Sequence, residues 1–357
     1  MIEVTRLTRS NEVDYEELLK VCPEAMVYHS LSYRRFLKDF LGPASESQYL
    51  LAFEDGQLVG ALPCFLIDGK HGIVLNSLPF FGSHGSILLR PGASPSVAIV
   101  LATSLRDLCV DRNVSFATVV DTPFQKYEGV YQKVLGFQYC DERIGQITPL
   151  PEVAAREKIS EKLFSQFHQK TRNSVRKGIR SGLDFGHDQT KEAMDSLRLL
   201  HQTNMLGIGG TAKPDSFFET IARQLEYEKD YRVYTASTEQ KKIVCALMVL
   251  YFKDTVEYFV PATEERWRSH QPLSALINLA MCDAIAERGS RTWNWGGTWL
   301  SQTGVYGFKS RWGTVDYPYH YYTKAFSQAP SLATVSSAGL IASYPWFYTL
   351  PFDNLDS

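Results

Sequence analysis

One pattern occurs twice along this chain, and it limits the possible folds more than any other feature. Leu50-Leu51-Ala52-Phe53, a polar Glu54-Asp55-Gly56 turn and Leu58-Val59-Gly60-Ala61-Leu62 read as strand, turn and strand. Tyr234-Thr235-Ala236-Ser237 and Ile243-Val244-Cys245-Ala246-Leu247 repeat that hairpin across a polar stretch. Pro95-Ser96-Val97 then opens an apolar-periodic helix to about Arg112, and Pro272-Leu273-Ser274 opens another to about Arg288, closed by Gly289. Proline at the start and glycine past the end are the expected punctuation of a helix. A strand follows each helix: Phe116–Asp121 in one half and Thr292–Trp295 in the other. Tyr131 and Phe308 each stand five positions before a glycine, Gly136 and Gly313. Four matched elements in one order predict a duplicated unit, a mixed sheet with helices on its faces, and an α/β fold class with α+β mixed sheets. The expected division is 1–151, then 152–330 including a basic helix over 168–182, then a docked C-terminal segment, 331–357.

Composition agrees with two such domains. The chain has 357 residues, 44% hydrophobic and 21% charged, enough to bury two cores. A net charge of −2 excludes a generally basic DNA binder, so any anionic partner must meet a local patch. Cys22, Cys64, Cys109, Cys140, Cys245 and Cys282 form no Cys-x-x-Cys and read as reduced thiols, which points to the cytoplasm. The first residues lack the apolar core of a signal peptide, and no apolar run reaches the ~20 residues of a membrane span. Pro345 and Pro351 interrupt the apolar tail, which reads as a docked segment.

The densest candidate site follows the strand Arg291–Gly297: Gly304-Val305-Tyr306-Gly307-Phe308-Lys309-Ser310-Arg311-Trp312-Gly313. Glycines let backbone approach a ligand, while Lys309 and Arg311 suit an anion or a developing negative charge. Trp293, Trp295 and Trp312 are candidates to line a cleft, and they have an equally good explanation as core. A second candidate is the segment Phe167–Gly182, which carries no acidic residue. On a helix Arg172, Arg176 and Arg180 share one face, and Lys170 and Lys177 share another strip; Arg172, Arg176, Lys177 and Arg311 are the candidate phosphate contacts. Phe81-Gly82-Ser83-His84-Gly85-Ser86 reads as a glycine-rich cleft loop. Ser83 and His84, adjacent on a strand, would point to opposite faces rather than form a catalytic dyad. No phosphate-binding P-loop, zinc-binding motif or nucleophile elbow occurs, so no metal site is expected.

These residues resemble the Fem family of peptidoglycan-bridge aminoacyltransferases and their wider Fem-like acyltransferase relatives, built from two tandem GNAT-type N-acetyltransferase domains. The resemblance runs from about His29 to Phe326. It is carried by His29-Ser30-Leu31-Ser32-Tyr33, Leu78-Pro79-Phe80-Phe81-Gly82, Lys170–Gly178, Tyr258–Thr263 and Gly304–Lys309. It implies transfer of an acyl or aminoacyl group to an amine by direct attack, without a covalent intermediate. Lys309 matches the lysine of the family's Phe-Lys motif, expected to meet the tetrahedral oxyanion or the donor's terminal adenosine region. Tyr306 is the candidate to protonate the leaving group. No bound cofactor is implied. The donor is aminoacyl-tRNA or acyl-CoA, and the acceptor is a small-molecule or sugar-linked amine.

Three departures bear on that implication. Leu37 stands where muropeptide-binding relatives carry a lysine, with Lys38 displaced by one residue. The chain has no room for the long coiled-coil insert of some relatives. Arg268-Ser269-His270-Gln271-Pro272-Leu273 and Arg90-Pro91-Gly92-Ala93-Ser94-Pro95 lack the paired glycines that wrap a coenzyme A pyrophosphate. The last favours a tRNA donor. The alternatives are an acyl-CoA or acyl-carrier-protein-dependent transferase of polysaccharide or secondary metabolism, and a non-catalytic module that binds a sugar nucleotide or a partner.

Overall fold

A computed structural model describes residues 1–80, 84–152, 155–331 and 334–351. The chain divides into two compact units, Met1–Arg143 with Pro318–Ser357, and Ile144–Tyr317. The boundaries expected at 151 and 330 lie past two eleven-residue strands; the chain instead changes unit inside those strands, at 143/144 and 317/318. Residues 318–330 and the tail therefore belong to the first unit.

The first unit opens with β1 (Ile2–Arg6), α1 (Glu12–Val21) and α2 (Leu31–Leu41), followed by β2 (Ser45–Ser47), β3 (Leu50–Glu54) and β4 (Gln57–Leu62). Asp55 and Gly56 both take positive φ, 50° and 79°, as the tight turn between β3 and β4 requires. Next come β5 (Phe65–Gly69), β6 (Gly72–Asn76), β7 (Leu88–Leu89), α3 (Ser96–Asp111), β8 (Val114–Val120), α4 (Glu128–Val134) and β9 (Tyr139–Pro149), whose end passes into the second unit. One sheet has the order β1-β3-β4-β7. In the other, β8 pairs in parallel with β6 across the α3 crossover. Every residue of β8 is buried, as expected of a strand covered on both faces.

The second unit contains α5 (Ile159–Gln166), α6 (Gln169–Ile179), β10 (Asp184–His187), α7 (Lys191–Gly207), α8 (Asp215–Gln224), β11 (Tyr231–Ser237), β12 (Ile243–Phe252) and β13 (Thr255–Thr263). It continues with α9 (Pro272–Arg288), β14 (Thr292–Trp299), α10 (Thr303–Ser310) and the start of β15 (Val315–Ala325). The sheet runs β10-β11-β12-β13-β14 and then the 144–149 stretch of β9. Pro272 opens α9 and Gly289 closes it at φ 62°, as the sequence predicts.

The matched elements all form, with one difference. In the second unit β13 is antiparallel to β12 and parallel to β14. In the first unit these roles fall to different strands: β7 pairs with β4, and β6 pairs with β8. The inserted β5–β6 hairpin makes this possible, and the chain then stitches the end of that parallel pair shut. Ser77 donates its N–H to Thr118, the Val120 N–H reaches Ser77 Oγ, and the Gly85 N–H reaches the Val120 carbonyl. A Cβ on Gly85 would lie 2.6 Å from the Ser77 carbonyl carbon, so only glycine fits there.

The tail docks on the first unit beyond β15. After α11 (Ser337–Ser343), the Tyr344 hydroxyl donates to the Gly72 carbonyl at 2.8 Å, and Asn76 and Tyr348 exchange two hydrogen bonds of 2.7 Å. Trp346 packs on Phe40 and Phe80.

At the end of β8 a polar cluster is fully enclosed. Ser86 Oγ donates to Asp121 Oδ1 at 3.3 Å and lies 2.7 Å from the Tyr131 hydroxyl, while His84 Nδ1–H donates to the Asp121 carbonyl at 2.7 Å. Burial pushes the Asp121 carboxyl up to about 7 and holds His84 down at about 4. The two act in opposite directions. An Asp121 that resists ionisation costs stability as pH rises from about 4 to about 7, whereas a His84 that resists protonation costs stability as pH falls from about 6.5 to about 4. Asp121→Asn keeps the acceptor for Ser86 and removes the first cost. Its melting temperature by calorimetry should exceed the parent's above pH 7, by the equivalent of at most ~4 kcal/mol, and the two should converge below pH 4. Parallel pH profiles would refute the assignment.

Candidate active site

The parallel pairing of β13 and β14 is short. Thr255, Val256 and Glu257 face Thr292, Trp293 and Asn294, and no further register pair follows although both strands continue. An extra residue on β13 at Phe259, where the register with β12 shifts between Met248 and Val249, helps turn the strand away. The strands thus part into a V. Buried Asn294 marks its apex, donating Nδ2–H to Glu257 Oε2 at 2.8 Å.

A groove of about 260 Å³ lies on the β13 side of the V. Pro261, Ala262 and Thr263 form one wall, Arg268, Gln271 and the first residues of α9 the other, and Phe308 of α10 also lines it. Asn204 near the end of α7 holds the strand wall by two hydrogen bonds to the Thr263 backbone, 2.8 and 3.0 Å long. Gln271 sits at φ 61°, a left-handed residue at the head of a 17-residue helix. The positive end of the α9 dipole and the exposed Arg268 guanidinium make this end of the groove suitable for an anion.

Lys309 follows Phe308 in the last turn of α10 and is buried. Its ammonium donates to Thr298 Oγ1 at 2.8 Å and to the carbonyls of Gly297 and Gly296 at 3.2 and 3.4 Å. Thr298 donates in turn to Gln146 Oε1 at 3.4 Å, and Gln146 Nε2 reaches the Tyr306 carbonyl and Thr314 Oγ1. No carboxylate appears among these partners, so burial alone lowers Lys309 to about 8. The cation is held by dipoles rather than neutralised, and the residue before it, Phe308, lines the groove.

The other sequence candidates are dispersed. The Tyr306 hydroxyl donates to Asp316 Oδ2 at 2.7 Å, so it would have to leave that carboxylate to protonate anything else. Arg172 is spent on the carbonyls of Phe164 and Phe167, closing the turn before α6 rather than facing solvent. Arg176 lies over the Phe164 ring at 5.4 Å. The helix is shorter than 168–182, with Arg180 as its cap. Lys170, Arg176, Lys177 and Arg180 remain exposed, as does Arg311. Trp293, Trp295 and Trp312 are core residues rather than cleft walls: all three are buried, and Trp295 packs on Phe308 and Trp312. His84 is enclosed in the first unit, and Ser83 lies outside the described residues.

Residues the sequence did not single out complete the site. Thr298 and Gln146 lie on strands and looked like ordinary polar positions, although the two glycines before Thr298 signalled exposed backbone. Asn204, Asn294 and Glu257 gave no signal of their own.

Residues 166–310 match the family model of the acetyltransferase (GNAT) domain. No curated protein matches the chain in sequence. Among solved structures, FemX is 14% identical over 90% of this chain and 97% of its own, with a TM-score of 0.68. A tandem GNAT protein from the clavulanic acid biosynthesis pathway is 13% identical over 93% and 100%, TM-score 0.57. L-PGS from Bacillus licheniformis is 13% identical over 88% and 92%, TM-score 0.53. The V between β13 and β14 and the buried lysine of α10 fall inside the matched segment or at its edge: the second unit carries the match to the acetyltransferase (GNAT) domain, and the chain takes the fold of these structures, FemX among them, with two α/β units.

Proposed function

We propose that the chain transfers an aminoacyl group from aminoacyl-tRNA to the amine of a sugar-linked or small-molecule acceptor, with the donor's reacting end in the second unit's groove. The observation that carries this reading is the unneutralised Lys309 ammonium, one residue from the groove-lining Phe308. As the neutral amine attacks the ester carbonyl, a C–N bond forms and the carbonyl oxygen gains charge. Lys309 meets that oxyanion by exchanging one of its two longer bonds to the glycine carbonyls. Collapse breaks the C–O bond, and the proton lost by the amine ends on the ribose hydroxyl that leaves. No side chain is covalently modified, and alignment supplies much of the rate. Exposed Lys170, Arg176, Lys177 and Arg180 on α6, with Arg268 and Arg311, suit a polyanionic donor. The FemX fold accords with this choice. No described helix is long and apolar enough to cross a membrane.

A second reading, an acyl thioester donor, is favoured by the groove at the head of α9, where a pyrophosphate could lie. Mass spectrometry of amino-sugar and nucleotide-linked amine acceptors, given mixed charged tRNAs with or without ribonuclease, or an acyl-CoA panel, separates the two. A ribonuclease-sensitive mass gain is expected; a gain with acyl-CoA alone would replace the first reading by the second. Arg268→Ala should raise the donor KM about tenfold with kcat little changed, as for a phosphate contact outside the reacting centre.

A further inference from the structure

A larger cavity, of about 640 Å³, lies in the second unit away from the groove. It opens between the first turns of α7, the inner face of α8 and the start of β11. Arg198, its lining residue furthest along α7, is six residues before Asn204 of the groove, about 9 Å along the helix axis. β11 alternates about the sheet: Tyr234 and Ala236 join the core on the α9 side, while Tyr231 and Val233 turn into the cavity.

The cavity's chemistry is one-sided. Asp188, Asp195, Asp215 and Glu219 line it against only two cations, Lys191 and Arg198. Lys191 and Arg198 pair with Asp195, and Arg198 also pairs with Asp215 at 3.1 Å. Asp188 and Glu219 have no cationic partner among the described residues. The inner wall is aromatic, with Phe218, Tyr227 and Tyr231, the last two edge to face at 5.5 Å. Tyr231 is only 6% exposed, yet it lines the cavity, and its hydroxyl has no partner among the described residues, whereas Tyr227's is taken by His187. The Tyr231 hydroxyl is unspent and free to bond a ligand group or water in the cavity. Carboxylates in excess at the rim and π-faces within are the two features that select an organic cation over a neutral or anionic molecule of the same shape.

We propose that this cavity is a binding site for an organic ammonium, a primary amine on a small aromatic or aliphatic body, separate from the transfer groove. The amine meets Glu219 and Asp188, and the body lies against Phe218, Tyr227 and Tyr231. The volume falls within the range of small-molecule sites.

Isothermal titration of the full chain with 2-phenylethylamine, 2-phenylethanol and 3-phenylpropionate tests this. The amine should bind at least about tenfold tighter than the alcohol, with the acid weakest. Glu219→Gln, an exposed change on α8 that leaves the fold intact, should bring amine and alcohol to within about threefold. Tyr231→Phe should weaken the amine with no change in melting temperature. Lys309→Met should leave the amine's affinity unaltered, which keeps this result independent of the transfer reaction. Equal binding of amine and alcohol, no binding of the amine at millimolar concentration, or an unaffected Glu219→Gln would each overturn the proposal.

Discussion

Lys309→Met should lower kcat for acyl transfer by about 10² to 10³, with the donor KM changed only a few-fold, because the ammonium's charge matters most when the oxyanion forms. Steady-state kinetics with the donor that the mass-spectrometric panel selects measures it. The pH profile carries the same signature. Burial alone lowers Lys309 to about 8, so the cation, and kcat with it, should be lost as pH rises through about 8, a limb absent in the variant. A purely structural lysine would behave differently. It would lose melting temperature, through Thr298 and the carbonyls of Gly296 and Gly297 left unpaired, and kcat and KM would decay together. Stability itself should rise between about pH 8 and 10.5 in the parent, since the folded state holds the neutral amine more readily than the unfolded chain does.

The second large effect concerns how the groove is held. α6 crosses α9 at Gly178, and a Cβ there would stand 2.5 Å from the Gln271 carbonyl oxygen and 2.8 Å from the Ala275 Cβ. Gln271 is the left-handed residue on the lip of the groove. Gly178→Ala gains about 1 kcal/mol of helix propensity but forces two backbones apart, and overpacking of this kind costs about 1–3 kcal/mol or more. We expect a net loss of about 2 kcal/mol in the second unit, seen as a lower melting temperature, with a donor KM several-fold higher because the lip moves. Lys177→Ala, one residue earlier and exposed, is the control: it should leave the melting temperature unchanged. An unchanged melting temperature for Gly178→Ala would mean that the two helices separate at no cost and that the groove does not depend on their contact.

Much of this was legible in the residues. The hairpin turn at Asp55-Gly56, the limits of α9 between Pro272 and Gly289, and the order of elements in both halves follow from local chemistry that needs no neighbour to be read. Lys309 stands out in the sequence as a cation among glycines and aromatics. Its environment does not. The acceptors that hold it come from β14, and one of them, Thr298, is itself held by Gln146, more than 150 residues before it in the chain. Arg172 shows the reverse case. Its spacing with Arg176 suggested a phosphate contact, but the chain folds back so that the carbonyls of Phe164 and Phe167 claim it first. Trp293, Trp295 and Trp312 have the composition of a cleft wall and the burial of a core, and composition cannot tell these apart.

The sequence by itself determined the duplicated α/β plan, because periodicity, turn residues and helix punctuation act over a few neighbouring positions. Only the tertiary structure decided how the parallel strand pair ends in each half. In the first unit an inserted hairpin takes the parallel place beside β8, and the chain near Gly85 closes the pair's end by hydrogen bonds to Val120 and close packing on Ser77. In the second unit β13 serves both neighbours, bulges at Phe259 and parts from β14 after Glu257. Whether two strands stay paired or separate depends on which partners satisfy their backbone groups, and those partners are brought together only by the fold.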